Sequence, residues 1–126
     1  MSMPLKSYAE VLRELCLLRK RLNSRAFNDA RGYSAAFALI ASERFGGELA
    51  SVVEDGTEHW FNRIPCLQGV FEFDAAGDEL GRLPVTMGRV DELYANALPR
   101  RADELDLVAR ERARWLTERL REQVAA

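Results

Sequence analysis

The chain is poor in the residues that most often announce chemistry. It has one histidine and two cysteines in 126 residues. Cys16 and Cys66 lie far apart and match no metal spacing such as C-x-x-C, so a structural zinc site is not expected, and neither is any other metal or cofactor. Two isolated thiols fit a reducing cytoplasm rather than a disulfide framework. No run approaches the roughly 18 apolar residues of a membrane span, and Met1 to Lys6 lacks the pattern of a signal peptide. Lysine is also scarce, two against sixteen arginines. Arginine favours bidentate contacts, and a GC-rich genome gives the same bias.

What is present is enough for one core. With 48% apolar residues the chain is expected to form a single domain over 1–126. The net charge of −2 is uneven: +4 over residues 1–31, −7 over 32–98 and +1 over 99–126. An acidic middle argues against a nucleic-acid footprint, which needs a basic face. A membrane partner is not expected either.

The stretch Gly32 to Gly47 carries no polar residue between Ala35 and Ala41 and is closed by two glycines. A helix apolar nearly all round must be buried on most of its faces, so residues 34–45 are expected to form the central helix, with Ser34 at its start. Ahead of it, Ser7-Tyr8-Ala9-Glu10 reads as a capping box. A helix over 7–22 follows, with Tyr8, Val11, Leu12, Leu15, Leu18 and Leu22 inside and Arg13, Arg19, Lys20 and Arg21 outside. Asn23 to Arg31 reads as a loop.

After Gly47 the period becomes strand-like, and residues 48–74 are expected to form a three-stranded meander. Asp55-Gly56 is a strong two-residue hairpin signal, which sets Glu54 opposite Thr57 and Val52 opposite His59. A second hairpin centred between Cys66 and Leu67 would pair His59 with Asp74. His59, Phe61, Val70, Glu72 and Asp74 would then share one face, and Trp60, Asn62, Ile64, Phe71 and Phe73 the other. A glycine-rich irregular segment follows, with a short strand near Leu83 to Thr86 and a brief helix over 89–98. A long helix over 103–124 closes the chain, with Leu105, Val108, Ala109, Leu116, Leu120 and Val124 on one side. The fold class is therefore α+β: a buried central helix on a three- to four-stranded antiparallel sheet, flanked by N-terminal and long C-terminal helices.

Several residues could carry chemistry. Ser34 at a helix N-terminus, His59 as base and Asp74 as orienter would make a nucleophile, base and carboxylate set, with free N–H groups nearby to hold an oxyanion. Each also has a plain role: Ser34 as helix cap, His59 as a hydrogen-bonded strand residue, Asp74 as the start of a turn. Cys66 reads as a small hydrophobe or a loop thiol. Glu72 and Asp74 could act as paired carboxylates or be ordinary strand residues. Glycines 77, 81 and 88 lack the strand and helix context of a phosphate loop.

The residues Gly32-Tyr33-Ser34-Ala35-Ala36-Phe37-Ala38, Gly46-Gly47, His59-Trp60-Phe61 and Phe73-Asp74-Ala75-Ala76-Gly77 form a pattern over about residues 30–78. It resembles that of small papain-like, or transglutaminase-like, proteins of bacteria and phages. The resemblance implies a catalytic order of helix nucleophile, strand histidine and strand aspartate. Where the pattern has cysteine this chain has Ser34, which implies a weak or inactive enzyme. The expectation is thus a non-catalytic protein-binding or regulatory protein on a papain-like scaffold, such as an accessory or inhibitor protein of a phage or mobile element. The alternative is a hydrolase or acyltransferase using Ser34, His59 and Asp74. On the last helix Arg110, Arg114, Trp115 and Arg119 are candidate contacts for an unknown protein partner or a second copy of the chain; packing within the fold is the competing role.

Overall fold

The computed structural model describes residues 4–22 and 32–125; the loop expected over Asn23 to Arg31 lies outside them, as does the side chain of Val124. Three helices and five strands run in the order α1 (Tyr8–Leu22), α2 (Ser34–Phe45), β1 (Glu48–Glu54), β2 (Thr57–Cys66), β3 (Gly69–Asp74), β4 (Thr86–Arg89), β5 (Leu98–Arg100) and α3 (Leu107–Ala125). The architecture is α+β, as the sequence predicts, with a sheet of order β4-β3-β2-β1-β5 and antiparallel neighbours throughout.

Apolar spacing builds the helices onto one face of this sheet. Val11, Leu15, Leu18 and Leu22 of α1 join Ala36, Phe37, Ile40 and Ala41 of α2, Ala113, Leu116 and Leu120 of α3, and Ile64 and Phe73 of the sheet in the main core. Ser7 Oγ accepts the Glu10 N–H at 3.2 Å, which caps α1 as expected. Arg19 departs from its expected outward position. It is buried against the Phe37 ring and donates to the Ala75 carbonyl and to both Asp78 oxygens. A long cationic stem can lie along apolar surface when its head finds a carboxylate.

The first hairpin has the predicted register, with Glu54 opposite Thr57 and Val52 opposite His59. The second does not. Its turn is Leu67-Gln68, so Cys66 pairs with Gly69 and Asn62 with Phe73. This is a slip of two residues from the predicted pairing. Because the side-chain period is also two, the expected faces survive. His59 is no longer directly opposite Asp74, and meets it on the diagonal.

The helix expected over 89–98 does not form. Asp91 and Asn96 both have left-handed backbones, φ 68° and φ 62°, which an α-helix cannot absorb. The segment turns twice, drops Tyr94 onto the second face of the sheet and returns as β5. There Pro99 pairs with Ala50 at the sheet edge, where a missing N–H is tolerated. The last helix starts at Leu107 rather than 103, after a 3-10 turn over Ala102–Glu104. Leu105 is buried ahead of it, and Val108 is exposed rather than inside.

The two glycines that end α2 differ in constraint. Both have positive φ, but a Cβ on Gly46 would meet open space, whereas one on Gly47 would lie 2.2 Å from the Arg63 carbonyl oxygen. Gly46→Ala is expected to cost about 1–3 kcal/mol through its backbone alone, because φ 77°, ψ −156° is a region that glycine alone adopts freely. Gly47→Ala should cost roughly 3 kcal/mol or more, because a backbone clash adds to the strain. Urea denaturation of the two variants checks this; equal losses would show that Gly47 is held no more tightly than Gly46.

Candidate functional site

The start of β2, the end of β3 and the start of α2 come together with the 3-10 turn Gly77–Leu80. His59 is the centre of this junction and is fully buried. Its Nε2 lies 2.8 Å from Asp74 Oδ2 and its Nδ1 lies 2.8 Å from Glu79 Oε1. An imidazole with a carboxylate on each nitrogen is best satisfied as the imidazolium, which donates from both. Burial pulls its pKa down, but the hydrogen bonds and charges of Asp74 and Glu79 outweigh that and raise it from 6.5 to about 9.

The carboxylates are themselves saturated. Asp74 Oδ2 also accepts the Tyr94 hydroxyl in a very short contact, and Oδ1 accepts the Ala76 N–H at 2.9 Å. Glu79 Oε2 accepts the Gly32 N–H at 2.7 Å. Burial would raise the Glu79 pKa, but His59, Ser34 and Gly32 together hold it below the usual range. Burial and the Asp74 charge push the Tyr94 phenol up, so it stays a donor. A buried ion cluster is tolerated only when lone pairs and protons are matched in this way.

Ser34 does not have the cap role read from the sequence. Tyr33 is the N-cap and Ser34 the first helical residue. Its Oγ accepts the Trp60 N–H at 3.1 Å, fastening α2 to β2, and Ser34 is one of the groups that hold the Glu79 pKa down. The three residues singled out as a catalytic set are therefore brought into one network, but Glu79 stands between Ser34 and His59. Both ring nitrogens are committed to carboxylates, so His59 has no free lone pair with which to take a proton from Ser34.

Glu72 and Asp74 share a face without forming a pair. Glu72 accepts from Arg63 at 3.0 Å, and Asp74 belongs to His59 and Tyr94. Cys66 ends β2 in the core, and burial pushes its thiol pKa up, away from reactivity. Among the described residues no group of three or more His, Cys, Asp or Glu side chains is arranged to hold a metal ion.

Outside the buried network an open cleft of about 410 Å³ is lined by Ser34, Trp60, Glu79, Arg100, Leu105 and Arg112, among others. Arg100 lies 4.4 Å over the Trp60 ring and bonds Ser51, Glu58 and Glu104. Arg112 lies over Tyr33 and donates to the Gly32 carbonyl. On α3, Arg110 is used to fasten the preceding turn through the Ala102 and Leu105 carbonyls. Arg119 lies 5.0 Å over the half-exposed Trp115 ring, and Arg114 is exposed.

Sequence reasoning missed Glu79 and Tyr94. No spacing rule leads from Glu79 to His59, because the 3-10 turn that aims it has no periodic signal. Tyr94 was hidden in a stretch read as a helix.

A histidine whose pKa is raised on folding stabilises the fold below its unfolded value, and that contribution is lost as pH rises through the folded value. Stability is therefore expected to fall between pH 6.5 and about pH 9, by up to roughly 3 kcal/mol. Glu79 acts in the opposite sense, with a loss as pH falls through its depressed pKa. Chemical denaturation across pH checks both signs; a curve as steep in His59→Gln as in the wild type between pH 6.5 and 9 would assign the loss elsewhere.

Comparison with family models, curated proteins and solved structures finds no match to this chain.

Proposed function

We propose that the chain is a non-catalytic binding or regulatory protein on a papain-like scaffold, working by contact with a protein partner. The observation that carries this reading is the commitment of both His59 nitrogens to Asp74 and Glu79, each at 2.8 Å. A serine hydroxyl needs a base at the moment of reaction, and here the imidazolium is a cation bridging two anions. Two free cysteines, one of them exposed, suit a reducing cytoplasm.

The contact surface proposed is the outer side of α3, where Arg114, Trp115 and Arg119 are grouped, with Arg110 one turn earlier on the helix. Arginine and tryptophan are the side chains most enriched at the energetic centres of interfaces. Self-association through the same helix is the simplest form of this reading.

A second reading, a hydrolase or acyltransferase with Ser34 as nucleophile, His59 as base and Asp74 as orienter, draws on the gathering of those residues into one network. It requires Glu79 to leave His59 Nδ1 and His59 to lose its proton.

A fluorophosphonate probe separates the two. The wild type is expected to remain unlabelled at pH 7 to 9, and labelling that disappears in Ser34→Ala would overturn the non-catalytic reading. The α3 surface is tested by light scattering and affinity capture with Arg114→Glu combined with Trp115→Ala. Loss of assembly or of a retained partner is expected; assembly and partners identical to wild type would remove α3 as the contact.

A further inference from the structure

The groups around the Glu79 carboxylate are all hydrogen-bond donors, and they come from parts of the fold that do not carry Glu79. Gly32 N–H belongs to the turn before α2 and the His59 Nδ1–H to β2, with Ser34 of α2 alongside. Each is fixed from behind. The Gly32 carbonyl is held by Arg112 of α3, Ser34 Oγ by the Trp60 N–H, and His59 Nε2 by Asp74. The imidazolium supplies a full positive charge, and the start of α2 adds a partial one.

Glu79 itself arrives on a separate four-residue turn, Gly77–Leu80. That turn is secured by its neighbour Asp78, whose two oxygens accept from Arg19 at 2.8 and 3.0 Å. The Glu79 side chain is only 4% exposed, yet it forms part of the lining of the 410 Å³ cleft. The donors are thus preorganised by the sheet and two helices, the acceptor is delivered by a turn with its own anchor, and solvent lies on the near side. Preorganised, charge-assisted donors of this kind give strong recognition of a planar carboxylate.

We infer that the junction of α2 and β2 is a carboxylate receptor that the chain fills with its own Glu79, and that a small free carboxylate can take the same place when the Glu79 side chain is removed. This inference goes beyond the partner-contact reading above, which concerns the outer side of α3.

The test is chemical rescue of Glu79→Ala by sodium acetate, with sodium chloride at equal ionic strength as control. Truncation leaves a hole that opens on the cleft and two donors, the Gly32 N–H and the His59 Nδ1–H, without an acceptor, which acetate matches in charge and shape. The melting temperature of Glu79→Ala is expected to rise with the logarithm of acetate concentration above the apparent Kd, by roughly 4 °C at ten times that Kd, while the wild type responds equally to the two salts. A Glu79→Ala protein that is unfolded in chloride and folded in acetate has the same meaning. Equal responses of the variant to acetate and chloride overturn the receptor. If Glu79→Ala folds in neither salt, Glu79→Gln, which keeps the side-chain volume, decides by the NMR titration of His59. A midpoint lower by about one pH unit or more is expected, a tenfold change in proton affinity, and an unchanged midpoint overturns the inference. Fluorophosphonate labelling of wild-type Ser34 would overturn the non-catalytic reading without touching the acetate result, so the two failures are distinguishable.

Discussion

Two buried carboxylates face a single imidazole, and most of the structure around the sheet edge follows from that constraint. Asp74 and Glu79 could not share the interior as anions without a cation between them. His59 supplies the cation only if both its nitrogens donate, which fixes its protonation state and its ring plane together. Four separate pieces of chain must then be in place: the end of β3 for Asp74, the 3-10 turn for Glu79, the start of α2 for Ser34, and the segment between β4 and β5 for Tyr94. The cluster therefore ties the irregular half of the chain to the regular half. Loss of His59 would leave two buried carboxylates without their cation, the kind of defect that costs about 3–5 kcal/mol.

The same electrostatic logic explains why the second face of the sheet is covered by irregular chain rather than by a helix. That face carries His59, Phe61, Glu72 and Asp74, all buried. A helix presents only side chains to its neighbour, whereas turns also present backbone N–H groups. Glu72 takes one from Leu93, Asp74 one from Ala76 and Glu79 one from Gly32. Left-handed Asp91 and Asn96 are the local means of folding the chain back so that Tyr94 reaches Asp74 and packs 5.0 Å from the Phe61 ring. Apolar burial on the helix face and polar satisfaction on the other are two different solutions to the same need to exclude water.

This division also sets what could be read from the sequence. α1, α2, the first hairpin and the two faces of β2 and β3 are encoded by periodicity and by one Asp-Gly pair, and they formed where periodicity placed them. The slip of the second hairpin by two residues left the faces intact because spacing errors that are even do not move a side chain across a sheet. The segment 75–106 is different. Its conformation is dictated by the partners that its polar groups find in three dimensions, and neither Asp78 nor Glu79 carries a local signal for Arg19 or His59. Arg19 makes the same point from the other side, since a cation in a run of exposed cations gives no sign that it alone turns inward. Ser34, His59 and Asp74 were legible as residues of one site. The residue that decides what the site can do, Glu79, was not.

That residue bears directly on what Ser34 can do. A catalytic thiol works as a thiolate, and a thiolate is favoured by neighbouring positive charge and disfavoured by negative charge. At this helix start the nearest charged neighbour is the Glu79 carboxylate, with the imidazolium beyond it. A cysteine here would face an anion and would hydrogen-bond it weakly through S–H. A serine hydroxyl stays neutral beside that anion, and its oxygen accepts the Trp60 N–H. Ser34 and Glu79 are chemically matched to each other, and each is poorly matched to an activated nucleophile. The network around Ser34, His59 and Glu79 therefore holds charge at rest and leaves no group placed to activate a nucleophile.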